Sequence, residues 1–147
     1  MNIYKFDKKY KFFYMKSSDH QLDLFLKPID DESKIILYNY TEDNNIFRIE
    51  HFKNMNYHNE NGPARIFYNV DNGSIKMVEY WVKSKAHRID GPSDIYYDED
   101  GNIVQERWFY DNNDYSDIVG QWLRDNGFRS YEEMSDNDFN RMWMEIV

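Results

Sequence analysis

The sequence predicts a mainly β chain: an antiparallel hairpin-repeat meander closed by C-terminal α-helices. Three observations carry this. The stretch His58 to Tyr68 recurs in kind as His87 to Tyr97, 29 residues later. Aromatic residues make up 18% of the chain while alanine occurs only at Ala64 and Ala86, a balance that favours strands. Beyond about residue 115 the apolar spacing changes to the three-and-four step of amphipathic helices. At 147 residues the chain is long enough to bury a core without disulfides, and it contains no cysteine, which removes thiolate metal sites and cysteine nucleophiles.

The first region, residues 1–45, reads as N-terminal strands around Ile3–Tyr14 and Leu22–Leu26, parted by the polar Ser17-Ser18-Asp19 turn. Residues 1–16 hold five lysines against Asp7, a local charge of +4, so the other 131 residues carry −13 of the net −9. Lys5, Lys8, Lys9 and Lys11, interleaved with Tyr4, Phe6, Tyr10 and Phe12, could contact nucleic acid by charge and stacking. The plainer reading is a strand with solvated lysines docked on the acidic remainder, and the charge balance favours it.

The second region, residues 46–114, holds the repeats. In each copy a histidine precedes Gly-Pro and a strand: His58, Gly62, Pro63 and Tyr68, then His87, Gly91, Pro92 and Tyr97. Asp71-Asn72-Gly73 and Asp100-Gly101 supply turns to second strands that end in Glu79-Tyr80-Trp81 and Glu106-Arg107-Trp108. An earlier copy is visible in Glu50-His51-Phe52, six residues before His58, with Ile35–Tyr38 as its partner strand. About two and a half units result, near the roughly three an array needs. Gly62 and Gly91 are expected to take unusual backbone angles, with Pro63 and Pro92 stopping strands. Burying Trp81 or Trp108 would remove roughly 150–250 Å² from water, on the order of 4–6 kcal/mol each, so both are expected in the core.

These anchors resemble a MORN-type repeat, in the His-x-x-x-Gly-Pro variant of large DNA viruses and some phages. The resemblance covers roughly residues 46–114. It departs from the pattern in having Phe52 for the first Trp, and Asn56, Lys85 and Asn112 where a turn glycine is usual. Lysine enters the left-handed region less easily than asparagine, so the second of these turns is expected to differ in geometry.

The third region, residues 115–147, is a helical cap. Ser116 or Asp117 is expected to cap a helix through Asn126-Gly127, with Ile118, Val119, Trp122 and Leu123 on one face. Ser135 or Asp136 is expected to cap a second, with Phe139, Met142, Trp143 and Ile146 at i, i+3, i+4 and i+7. Ser130 and Glu133 have the spacing of a capping box.

The chemistry on offer is sparse. His58 and His87 recur without a third recurring ligand, so a role in satisfying nearby backbone groups is favoured over metal binding, and no cofactor is expected. Glu50, Glu79 and Glu106 would form a like-charge row diluted by Arg48, Arg107 or Lys76, and no nucleophile or oxyanion donor accompanies them. Asp98-Glu99-Asp100-Gly101 lacks the spacing and distal glutamate of a calcium loop and reads as a hairpin turn. No run approaches the roughly 18 apolar residues of a membrane span.

The expectation is a non-enzymatic protein, a structural or protein–protein interaction scaffold inside a cell. Exposed sheet edges predict a homodimer, together with an unidentified protein partner. The resemblance to viral versions implies a virion or an infected cytoplasm as its place. A nucleic-acid-binding accessory protein using the lysine-rich N-terminus is the alternative. A lipid-associated role, which MORN-like proteins also suggest, is opposed by the acidic surface.

Overall fold

A computed structural model describes residues 4–7, 12–15, 34–43 and 45–147. Aromatic and β-branched residues form the longer strands β1 (Tyr4–Asp7), β2 (Phe12–Met15), β3 (Lys34–Tyr40), β4 (Ile46–Lys53), β6 (Arg65–Tyr68), β7 (Ile75–Glu79), β10 (Asp94–Tyr97) and β11 (Ile103–Arg107). In that order they make one sheet. All neighbours are antiparallel except β2 and β3, which meet in parallel at Met15 and Asn39. Short strands form three small hairpins: β5 (Asn56–Tyr57) on the end of β4, β8 (Trp81–Val82) with β9 (Lys85–Ala86), and β12 (Phe109–Tyr110) with β13 (Asn113–Asp114). Helices α1 (Ser116–Asp125) and α2 (Asp136–Ile146) follow.

The segment expected as one strand from Ile3 to Tyr14 is instead two strands paired antiparallel, Tyr4 opposite Met15 and Asp7 opposite Phe12. Residues 8–11, between the two strands, lie outside the described residues. Leu22–Leu26 lies outside the described residues.

The small hairpins correct the expected turn positions. Left-handed residues fall in pairs at Asn54-Met55, Lys83-Ser84 and Asp111-Asn112, with φ between 50° and 69°. Asn56 and Lys85 are ordinary strand residues just past those turns. The second turn therefore matches the other two. A two-residue turn with both φ positive has the twist that antiparallel strands need, and that demand overrides the modest cost of placing Lys83 and Ser84 there. Gly62 and Gly91 are not left-handed, contrary to expectation, since only Gly73, Gly101 and Gly127 have positive φ among the glycines. A Cβ at Gly91 would lie 2.6 Å from the Arg88 guanidinium carbon, so a larger residue there would displace that side chain.

The largest correction concerns register. Trp108 does not occupy the place of Trp81. The Asn69–Ser74 turn is closed by a hydrogen bond from Asn69 N–H to Ser74 O, and the corresponding Asp98–Asn102 turn is one residue shorter. The second strand of the later hairpin is thereby displaced by one residue against the spacing of 29. Glu79 stands opposite Arg65, and the residue opposite Asp94 is Arg107, not Glu106. Val78 stands opposite Ile66, and Glu106 opposite Ile95. A one-residue shift in a strand moves a side chain to the other face. Phe109, in β12, is accordingly the counterpart of Trp81 in β8, and Trp108 that of Tyr80.

The core lies at the helical end. Trp108, Val119, Trp122, Leu123, Phe139, Met142 and Trp143 form one buried cluster, with Tyr110, Tyr115, Phe128, Tyr131, Met134 and Ile146 against it. Trp81 is only partly buried. Ile118, expected on the inner face of α1, is exposed. Ser135 caps α2 in a reciprocal box with Asp138. Neither Ser116 nor Asp117 caps α1: Tyr115 precedes the helix without a side-chain cap, and the Ser116 hydroxyl accepts from Trp108 N–H at 2.9 Å. Ser130 starts a single 3₁₀ turn over Tyr131–Glu133 rather than an α-helix.

Candidate functional site

The three small hairpins stand along one end of the sheet, each closed in the same way. His58 N–H donates to His51 O at 3.1 Å, His87 N–H to Tyr80 O at 3.1 Å, and Tyr115 N–H to Trp108 O at 2.7 Å. Neighbouring hairpins are then tied side by side. His58 Nδ1 accepts from Lys83 N–H at 3.1 Å, and His87 Nδ1 accepts from Asp111 N–H at 3.0 Å. Beside each of these, Tyr57 O accepts from Ser84 N–H and Ala86 O from Asn112 N–H. Asn59 and Arg88 N–H donate in turn to Trp81 O and Phe109 O.

Both histidines thus hold the turn of the following hairpin. Each must present an unprotonated Nδ1 to do so. Burial holds the His87 imidazole below its ordinary range, against a smaller opposing pull from the Asp111 carboxylate. Each Gly-Pro loop is braced from within: Asn59 Nδ2 donates to Pro63 O at 3.0 Å and Arg88 Nη1 to Pro92 O at 3.1 Å. Tyr68 and Tyr97 close the strands that follow, each opposite an isoleucine, Ile75 and Ile103.

A row of opposed residues crosses six strands: Leu37, Glu50, Arg65, Glu79, Asp94 and Arg107. Glu50 is fully buried, with Arg48 Nε at 2.9 Å from one carboxylate oxygen and Arg65 Nε at 3.5 Å from the other. Asn39 Nδ2 donates to it at 3.2 Å. The two Nε–H groups are off-line for hydrogen bonding, so the arginine contacts are chiefly electrostatic. Arg65 also binds Glu79 Oε2 at 2.9 Å, which accepts from Trp81 Nε1 at 3.1 Å. Burial, with Glu50 beside it, pushes the Tyr57 hydroxyl up to about 12. Phe52, Tyr57 and Trp81 follow in contact, at centroid distances of 4.8 and 5.7 Å.

The expected row of three glutamates is therefore two, Glu50 and Glu79, separated by Arg65. Glu106 belongs to the adjacent row, after Ile49, Ile66, Val78 and Ile95, where burial raises its carboxyl and a hydrogen bond to Trp108 opposes that rise. Sequence reasoning missed Arg65 and Asp94, the most informative members of the charged row. Their signal was present in the repeat: they hold the same place in successive copies with opposite charge, and each faces a partner of the reverse sign, Glu79 and Arg107.

Two surfaces are open beside these elements. A groove of about 590 Å³ lies between the Asn59–Gly62 and His87–Asp90 loops. The other is the outer side of β11, the last strand of the sheet. On β4 and β7 the outward positions Arg48–Glu50 and Met77–Glu79 pair with the next strand. The corresponding Gln105–Arg107 has no such strand among the described residues, and Ile103 and Val104 beside it are exposed. Lys5 lies in β1, while Lys8, Lys9 and Lys11 fall outside the described residues. Among the described residues, no helix is long and apolar enough to cross a membrane, and no group of three His, Asp or Glu side chains is placed to hold a metal.

No protein-family model, curated protein or solved structure matches the chain.

Proposed function

We propose that the chain is a non-enzymatic, MORN-like repeat protein that serves as a structural or protein–protein interaction scaffold and pairs with a second copy of itself. The observation that carries this reading is the open side of β11 beside exposed Ile103 and Val104. A strand with unpaired backbone groups is a template for another strand, and apolar flanks strengthen the contact. Support for the repeat comes from recurring geometry. The hairpin closures and histidine ties recur at steps of 29 and 28 residues. A register break near the start of the second strand recurs as well, beside Phe47, Lys76 and Val104.

Light scattering at micromolar concentration tests it. A mass twice that of the 18.1 kDa chain is expected, and Val104→Lys, which places a charge on the edge without altering the backbone, should halve it. A wild-type protein that stays at the mass of one chain defeats the proposal.

A further inference from the structure

The charge order along the crossing row breaks at one place. Arg65 and Glu79 form one pair and Asp94 and Arg107 the next, in reversed order, so the two carboxylates Glu79 and Asp94 are direct neighbours across the β7/β10 junction. Antiparallel neighbours place their side chains about 4.5–5.5 Å apart at Cβ, where like charges repel. Both groups are withdrawn from water: Asp94 is 7% exposed and the Glu79 side chain 13%. Glu79 is already engaged by Arg65 and Trp81. Asp94 meets Glu79 from β7, Arg107 from β11, Asp114 from β13 and, at longer reach, Arg65 from β6. Two acids and two bases face it, with the nearer acid on the strand that must hold the junction.

We propose that the β7/β10 junction is an acid-tightened seam, in which protonation of Asp94 relieves the cost of burying its charge and removes the repulsion against Glu79, so that the β10/β11 hairpin, with the helices that follow, holds more firmly to the rest of the sheet. At neutral pH the Asp94 carboxyl carries its charge and the seam is at its weakest. The direction follows from burial, which with Glu79 and Asp114 raises the Asp94 carboxyl to about 6 against the pull of Arg107 and Arg65. With the folded value above the unfolded one, the folded protein binds more protons between roughly pH 4 and 6. Stability from this group is therefore full below about pH 4 and is lost as pH rises through 6. The response opposes that of His87, whose lowered pKa favours the neutral ring and weakens the fold in acid. The β7/β10 seam and the histidine tie between the small hairpins thus answer pH in opposite directions.

Hydrogen exchange of the β7 and β10 amides, corrected for intrinsic rates, reads the seam directly. Between pH 7.5 and pH 5, protection in the wild type should gain about tenfold relative to Asp94→Asn, which carries no ionisable group there. The comparison subtracts the histidine contribution, which both proteins share. Equal pH dependence in the two proteins would overturn the proposal. Carboxyl carbon NMR of the wild type gives a second reading that does not depend on the variant folding. An Asp94 midpoint near 6 is expected, and one near 4 would also overturn the proposal.

Discussion

The helical end and the middle of the sheet are held together by different means. At the helical end, Trp108 is 2% exposed and rests among Tyr131, Phe139 and Trp143 at centroid distances of 5.9 to 6.5 Å. In the middle, the most deeply buried side chain of the crossing row is a carboxylate, Glu50, set between two arginines. Apolar burial is undirected and tolerates small shifts. A buried charge does not, because its stability depends on a partner at a given distance. The middle is consequently the part whose register matters most, and the helical end the part held by a contiguous apolar cluster.

Truncation should separate the two. Trp108→Ala removes an aromatic side chain from the buried cluster at the helical end and should cost about 4 kcal/mol in urea unfolding, whereas Trp81→Ala, at a partly exposed position, should cost less than half as much. Similar losses for the two tryptophans would restore the equivalence that the sequence repeat alone suggests. Glu50→Gln leaves Arg48 and Arg65 facing a neutral group and should cost about 3 kcal/mol, measured the same way. A loss below about 1 kcal/mol would place the middle of the sheet with ordinary surface ion pairs.

Turn chemistry offers a gain rather than a loss. Met55 has φ 64° and is 46% exposed, so Met55→Gly should relieve a left-handed residue without vacating a core site. A rise of about 1 kcal/mol is expected in thermal unfolding. The smallest effect belongs to His87. As pH falls below the unfolded histidine value of about 6.5, the unfolded chain takes up a proton that the folded ring resists, so stability declines with acid. His87→Gln should flatten that part of the profile, and an unchanged profile would show that the tie to Asp111 N–H carries no pH dependence.

Much of the architecture was legible in the residues. Runs rich in β-branched or aromatic residues marked β6, β7 and β10, and Gly73 and Gly101 marked turns because few other residues reach positive φ cheaply. Ser135 or Asp136 marked the start of α2, and the structure makes Ser135 the cap, in a box with Asp138 that the sequence alone does not single out. The recurrence of His58 and His87 was visible, but their targets, the Lys83 and Asp111 amides, lie 25 and 24 residues further along the chain. No local pattern announces a bond of that span.

What the sequence by itself determined is the paired strands of the repeats, the helical end and the turns at Gly73 and Gly101, since these follow from side-chain periodicity and backbone freedom over a few residues. What only the tertiary structure decided is which residues meet. The turn after Tyr97 is one residue shorter than its predecessor, and that difference sends Glu106 and Trp108 to one face and brings Arg107 opposite Asp94. Tryptophan follows glutamate at the same spacing in both copies, so the letters alone align them. The shorter turn fits because it also buries Trp108 against the helices and sets opposite charges facing each other across strands, and both are sums over contacts between distant parts of the chain.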